Sequence, residues 1–366
     1  MTNWIASVSR EMHGSNNESG IIAHNDAADA LEKIGFKRLV YPRIDRHSFL
    51  NESIEDRRKR FRIITAGVSP GDTVIMQYPL WMLKPLIMAI DAEREFIAAL
   101  REIGDVKIGA LVWDITTWIR GGIEEDGRGY GALLFLNEFD SVISANQKMA
   151  KRMREEGIVK PIIPMQFTDI FYSGYVNSKK FIKRLNMVAG NINFDVINNY
   201  QAKTEFHLIG KTNVPIEEWN NYDNVKFFGS KPQAELFTFF EGGFGVVSYD
   251  QAWGNTASSW TYGKYNNPMK LSLYLAVGIP PIIPSDFAHA ELIKQYNIGL
   301  VIDDFSKIDE VLGNMTEEEY SQLLENIEPW SKAIRGGHFT QRACLEAIAV
   351  MRAKISESVV ENADNI

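Results

Sequence analysis

The feature that most constrains this 366-residue chain is a sustained alternation of short apolar runs with helical stretches of ten or more residues. In the first half, Trp4–Ser9, Arg38–Pro42, Asp72–Gln77, Val106–Trp113, Ser141–Ala145 and Lys160–Met165 read as strands. Glu18–Ile34, Ile54–Thr65, Leu86–Ile103 and Asn146–Glu156 read as the helices between them. The runs are apolar along their whole length rather than on every second residue, so both faces of each strand are covered, and a parallel sheet with helices on either side follows. The second half repeats the theme over Asn186–Ala189, Glu205–Ile209, Val225–Phe228, Phe244–Ser248, Ile279–Ile283 and Leu300–Ile302, and two long helices close it, Thr316–Ile334 and Gln341–Ser356. Thr316 with Glu319 forms a capping box.

A chain of this length exceeds one core and is expected to divide. The boundary is placed where Ser-Gly and Lys-rich sequence interrupts the pattern, near Ser173–Leu185. That gives an N-terminal domain over 1–183, a C-terminal domain over 184–336 and a returning helix over 337–366. Two doubly wound domains in series bind ligands at the carboxyl ends of their strands, so the loops after each strand are the ones to search.

The net charge of −8 argues against nucleic acid as the main partner, because a phosphate backbone needs a basic stripe. The single cysteine, Cys344, excludes an intrachain disulfide and is expected to be a packed small residue. No apolar run approaches the ~18 residues of a membrane span, and Met1–Arg10 has no signal-peptide pattern, so a cytoplasmic protein with at most peripheral membrane association is expected.

The sharpest chemical signal is Asn267-Pro268-Met269-Lys270-Leu271, which opens a helix that Gly278 ends. A lysine in a first turn is misplaced against the helix dipole unless an anion lies between them, and that arrangement is a phosphate site. Gly190-Asn191 follows a strand; the glycine admits close backbone approach to a diphosphate and the asparagine offers an amide to phosphate or ribose. Phe228-Gly229-Ser230 follows another, where backbone atoms are placed to read a base edge. Gly242-Gly243-Phe244-Gly245 precedes a strand and reads as a tight turn.

In the first half, Gly14–Gly20 follows the first strand. Its Ser15, Asn16 and Asn17 serve either as helix caps or as a polar wall for sugar hydroxyls. Tyr78 and Trp81 sit in the loop after the third strand, and the Trp is either a stacking platform for a sugar ring or a hydrophobic plug. Asp114, after the fourth strand, is either a cap or a general base. Gln251–Tyr265 is a mobile flap or an irregular surface loop.

Several signatures are missing. There is no Asp-x-Asp, and the six histidines lack His-x-x-x-His spacing, so no metal is expected; Glu124-Glu125-Asp126 and Asp303-Asp304 read as solvated charge. The Gly-x-Gly-x-x-Gly fingerprint of a nicotinamide-dependent dehydrogenase, the phosphate-loop motif and the nucleophile elbow are all absent.

Pro268-x-Lys270-Leu271 followed by Leu275-Ala276-Val277-Gly278-Ile279-Pro280 resembles the nucleotide-sugar segment of GT-B glycosyltransferases. The likeness is strongest to a bacterial sugar-transferase family that includes accessory-secretion glucosyltransferases and galactofuranosyltransferase-like proteins. It extends through Gly242–Gly245, Asn297–Leu300, Thr316–Tyr320 and Ile334–Thr340. The resemblance implies two Rossmann-like domains facing a central cleft, a final helix crossing back to the first, and homo-oligomers. It implies a UDP-sugar donor held mainly by the second domain at Gly190, Asn191, Phe228, Gly229, Ser230, Asn267, Pro268 and Lys270. A glycan or glycoprotein acceptor would be held by the first at Ser15, Asn16, Asn17, Tyr78 and Trp81. Lys270 would stabilise the departing diphosphate, and Asp114 would take the acceptor proton if the reaction inverts or only position the sugar if it retains, with no metal and no cofactor beyond the donor. Three positions depart from the expected pattern: Leu273 stands where many GT-B enzymes carry a ribose-binding Glu, Ile192-Asn193-Phe194 follows Gly190-Asn191 where relatives place an Arg, and Trp113 precedes Asp114 where a His is expected, leaving Asp114 alone as a base. These departures keep open a second reading, a non-catalytic GT-B partner subunit that binds glycan or protein.

Overall fold

The structure is a computed structural model and describes residues 1–10, 19–80, 82–84, 90–115, 118, 133–192, 200–212, 214–219, 222–247 and 262–353. The expectations placed on Ser15, Asn16, Asn17, Trp81, Glu124–Asp126, Asn193, Phe194 and 251–261 lie outside the described residues. Two compact units account for the chain. Gly20–Gln166 with Met1–Asn16 and Gly337–Ile366 form the first, and Phe167–Gly336 with Asn17–Ser19 form the second.

The first unit contains β1 (Asn3–Val8), β2 (Lys37–Tyr41), β3 (Ile44–Asp45), β4 (Thr73–Tyr78), β5 (Leu83–Lys84), β6 (Lys107–Val112), β7 (Ser141–Ser144) and β8 (Ile162–Pro164). Six of these make one sheet in the order β2-β1-β4-β6-β7-β8, while β3 and β5 pair separately. Every pairing in the six-stranded sheet is parallel. All six residues of β4 are buried, as an uninterrupted Thr-Val-Ile-Met run requires. The intervening helices start on the caps their sequences offer: Ser53 accepts from Asp56 N ahead of Ile54–Thr65, and Asn146 accepts from Met149 N ahead of Gln147–Glu155.

The last helix, His338–Ala353, belongs to this unit and packs across β6, β7 and β8. Ala343, Cys344 and Ala347 are fully buried beneath it. Its polar side chains stitch it in place: Gln341 Nε2 donates to Ala30 O at 2.8 Å, and Arg342 Nη2 donates to Pro164 O at 2.8 Å and Met165 O at 3.0 Å. Arg352 Nη2 donates to Thr73 Oγ1 at 2.8 Å. The chain turns into this helix at Gly337, whose φ is +80° and where a Cβ would come within 2.3 Å of the Ala30 Cβ. Gly337→Ala therefore meets both a left-handed backbone and a clash. It is expected to cost about 2–4 kcal/mol, visible as a lowered midpoint in urea unfolding followed by circular dichroism.

The second unit contains β9 (Lys180–Asn191), β10 (Glu205–Lys211), β11 (Val225–Phe227), β12 (Gly242–Val246), β13 (Pro281–Ile283) and β14 (Leu300–Val301), ordered β11-β10-β9-β12-β13-β14. These pairings are parallel too. Leu185, Phe206, Leu208, Trp219, Phe244 and Tyr320 anchor its core. The helix Glu317–Gly336 begins on the expected capping box, with Glu319 N donating to Thr316 Oγ1 at 3.2 Å and Thr316 N to the Glu319 carboxylate at 2.9 Å.

Two expectations are corrected here. β9 starts at Lys180, six residues before the strand read from sequence. Lys180 and Lys183 point to solvent and break the apolar run, while Phe181 packs on the core. Gly242 and Gly243 belong to β12 and do not form a tight turn. They are glycines because β9 presses on them: a Cβ would meet Lys180 O at 2.0 Å from Gly242 and Arg184 O at 2.6 Å from Gly243. The ladder is bulged at this point, and the buried Asn186 amide donates to Gly242 O and Phe244 O across it. Among the described residues no helix is long and apolar enough to cross a membrane.

Candidate active site

In each unit the chain begins in the middle of its sheet, winds to one edge, and crosses back to continue on the other side. The crossover point lies between β1 and β4 in the first unit and between β9 and β12 in the second. Open parallel sheets bind ligands beyond the carboxyl ends of the strands at such points.

In the second unit the crossover point has a specific construction. The β9–β12 ladder runs no further than Asn186 opposite Gly245. Beyond it the strands diverge, and the phenol of Tyr274 fills the gap: Val188 N donates to Tyr274 Oη at 2.9 Å, and Tyr274 Oη donates to Val246 O at 3.1 Å. The ring has room because position 245 is glycine; a Cβ there would lie 2.2 Å from the ring. Complete burial pushes the Tyr274 hydroxyl well above its ordinary pKa, so it stays a neutral donor and acceptor.

Tyr274 lies on the helix Met269–Val277, whose cap position is Pro268. No side chain caps the helix start, and Gly278 ends the helix in the left-handed conformation at φ 81°. One residue into this helix stands Lys270, half-buried, its Nζ donating to Val247 O at 3.3 Å just past the end of β12. The structure thus brings Asn267, Pro268 and Lys270 to the crossover point. Gly190 and Asn191 end β9 on its other flank. Gly190 is exposed, with open space where its side chain would be.

Phe228, Gly229 and Ser230 sit apart from this group. They follow β11, which β10 separates from β9. Gly229, at φ +68°, offers its carbonyl to Gly210 N at 3.0 Å. The Phe228 ring lies 4.6 Å from His207 and edge-on to Phe239 at 5.2 Å, so the side chain is a partly exposed aromatic platform. Burial lowers the His207 pKa, although its Nε2 lies 3.0 Å from Glu205 Oε1. Leu273, where the resemblance leads one to expect a ribose-binding Glu, is buried.

At the crossover point of the first unit, the buried Gln77 organises the strand ends. Its Nε2 donates to Ala6 O and to His24 O, each at 3.0 Å, and its Oε1 accepts from Trp113 Nε1 at 2.9 Å. Trp113 N donates to Tyr78 O, extending the β4–β6 ladder by one step and leaving Asp114 partly buried just beyond it. Tyr78 lies in β4 and not in the loop after it. The strand runs one residue longer than its apolar run suggested, and the ring, on a residue 6% exposed, packs toward Phe135 at 6.1 Å.

Gln77, His24 and Tyr274 are structurally central residues that the sequence reading passed over. Their only signal was polarity inside an apolar run. His24 is fully buried, which lowers its pKa to about 3. The folded state therefore holds a neutral imidazole, and the contribution is fully present above about pH 6.5 and lost as pH falls toward 3. Wild type is expected to lose up to about 1.4 kcal/mol of stability per pH unit more than His24→Leu between about pH 6 and 4. Urea titrations of both proteins across that window check this.

Solved structures share this architecture. The lipopolysaccharide outer core galactosyltransferase WaaB, in its apo form, superposes with a TM-score of 0.55 at 12% identity, covering 95% of this chain and 98% of that one. The structure described as trehalose-6-phosphate from E. coli bound with UDP-2-fluoro glucose superposes with a TM-score of 0.57 at 8% identity, covering 94% and 99%. With its two doubly wound units and returning last helix, the chain has the GT-B fold. The description "Glucosyltransferase 3-like, N-terminal domain" matches residues 2–167, and "Glucosyltransferase 3-like, C-terminal domain" matches 185–347. The chain belongs to the glucosyltransferase 3-like family. Glucosyltransferase 3 of Streptococcus gordonii is 27% identical over 340 residues, 91% of this chain and 95% of that protein. Beta-1,6-galactofuranosyltransferase WbbI of Escherichia coli K12 is 26% identical over 294 residues, 79% and 82%.

Proposed function

We propose that the chain transfers a hexosyl group, glucosyl or galactosyl in pyranose or furanose form, from a UDP-sugar to a sugar hydroxyl of a glycan or glycoprotein acceptor, without a metal ion. The observation that carries this reading is Lys270: an ammonium in the first turn of a helix with no side-chain cap, beside the crossover point of the second sheet. Helix N–H groups and a cation converging there suit a diphosphate. The names of the two relatives supply the hexoses, and the solved neighbour carrying UDP-2-fluoro glucose supplies the uridine.

In this reaction the bond from the anomeric carbon to the diphosphate breaks and a bond to the acceptor oxygen forms. Charge grows on the departing diphosphate, where Lys270 and the helix start stabilise it. Asp114 of the first unit takes the acceptor proton if the configuration inverts. Gly190 admits the diphosphate to the backbone of β9, and Asn267 supplies an amide to the nucleoside side. Metal independence rests on the ammonium serving where a cation would otherwise sit.

Calorimetric titration with UDP, GDP and NADH in EDTA tests the reading. UDP is expected to bind with a micromolar dissociation constant, about 8 kcal/mol, and NADH not at all. Absence of UDP binding overturns it and favours the non-catalytic partner subunit, the reading that Ile192, standing where relatives have an Arg, would then explain.

A further inference from the structure

Three pieces of the diphosphate cradle meet at one oxygen atom. Val188, two residues before Gly190 at the end of β9, donates its N–H to Tyr274 Oη at 2.9 Å. Tyr274 Oη donates in turn to the carbonyl of Val246, the last residue of β12, at 3.1 Å. The third piece is the helix Met269–Val277, in which Tyr274 follows Lys270 by four residues, so the two side chains share one helix face. They take successive carbonyls at the end of β12: Tyr274 that of Val246, and Lys270 that of Val247 at 3.3 Å.

The phenol occupies the place of a ladder hydrogen bond. Gly245 N and Val247 N donate to Pro280 O and Ile282 O on the β13 side, and alternate residues of a parallel strand face opposite neighbours, so Val246 faces β9. Asn186 pairs with Gly245, and one more step of that register would bond Val188 N to Val246 O directly. Instead the hydroxyl stands between them, accepting from one and donating to the other, and the two strands part at this point. Phenylalanine would fill the same volume beside Gly245, so packing alone does not account for the oxygen. The far end of the helix is held by another neighbour, Ser331 Oγ, which donates to Ala276 O at 2.7 Å.

We propose that Tyr274 is a positioning residue for the departing diphosphate: its hydroxyl sets the width of the fork between β9 and β12 and the depth at which Lys270 stands in it. The proposal rests on the donor reading above and adds what holds that site open. Tyr274 is wholly enclosed, so it touches no ligand and acts through the Lys270 ammonium and the backbone leading to Gly190. Without the oxygen the strands are free to close by the missing bond, and a cradle for charge loses its spacing before it loses its fold.

The test compares the full chain as wild type, Tyr274→Phe, Lys270→Ala, the double variant and Tyr320→Phe, each checked for folding by circular dichroism. Tyr320 is the control, another buried tyrosine of the second unit, whose Oη donates to Gly243 O at 3.1 Å at the opposite end of β12. Calorimetry reads UDP affinity and urea unfolding reads stability. Tyr274→Phe is expected to weaken UDP binding about tenfold alone but less than about threefold in the Lys270→Ala background, because its effect runs through that ammonium. Tyr320→Phe is expected to lower the urea midpoint by as much while leaving UDP affinity within about twofold. In wild type, UDP is expected to slow amide exchange at Val188 at least about fivefold, a readout that stands even if Tyr274→Phe does not fold. Unchanged UDP affinity in Tyr274→Phe beside a weakened Lys270→Ala overturns this proposal alone. So do equal losses in both backgrounds, an equal loss in Tyr320→Phe, or exchange at Val188 that UDP leaves unaltered. Failure of wild type to bind UDP overturns the donor reading and the proposal with it.

Discussion

Lys270→Ala is expected to weaken UDP binding at least tenfold and to lower kcat about a hundredfold. Its ammonium is half-buried and held toward the Val247 carbonyl at 3.3 Å, so it reaches the crossover point without having to be ordered by the ligand. A preorganised cation aimed at developing charge stabilises the transition state more than the ground state, so the loss falls on kcat more heavily than on UDP affinity. Lys270→Arg keeps the charge but not the compact ammonium, and intermediate activity is expected. Calorimetry and donor-consumption rates measured side by side decide the matter. Unchanged affinity and unchanged rate in Lys270→Ala would remove the residue from the site.

The largest expected effect on stability comes from Gly245→Ala. One methyl group placed 2.2 Å from the Tyr274 ring has no space to occupy, because the ring is wholly enclosed and its hydroxyl is tied to Val188 and Val246. Either the ring leaves, stranding two backbone groups, or β12 moves away from the helix. Overpacking of this kind costs about 3 kcal/mol or somewhat more. Scanning calorimetry should show the transition of the second unit lowered by on the order of 5–10 °C. Gly245→Ala combined with Tyr274→Leu should recover part of that loss by freeing volume. A neutral single variant would mean that the ring does not lie where the structure places it.

Much of the fold was legible because Thr73–Met76 and its counterparts are apolar on both faces, a pattern that only a covered parallel strand satisfies. β9 was legible only in its second half. Lys180 and Lys183 lie on the first part of β9, before its pairing with β10 begins at Arg184, and are exposed there, so the hydrophobic run understates the strand. Glycine had two meanings that spacing alone does not separate. Gly278 ends a helix as expected, whereas Gly242 and Gly243 are strand residues relieved of a Cβ by the approach of β9. In the candidate site, Lys270 was readable because a cation in a first turn contradicts the helix dipole. Tyr274 was not, since a tyrosine within Leu-Ser-Leu-Tyr-Leu-Ala-Val looks like core until the divergence of β9 and β12 is seen. The end of β4 was legible only as far as Gln77 for a related reason: an aromatic at the end of a strand reads as a loop residue, and one extra step of pairing with β6 draws Tyr78 into the sheet.

The last helix carries a consequence for synthesis on the ribosome. β6, β7 and β8 are complete once Pro164 has been made, but His338–Ala353, which covers them, follows roughly 170 residues later. At about 5–20 residues per second, that is an interval on the order of ten to thirty seconds. Throughout it the nascent first unit presents the apolar surface that Ala343, Cys344 and Ala347 will bury, while the second unit is still emerging. The N-terminal half therefore waits longest for its apolar cover during translation, although its own strands are the earliest to be made.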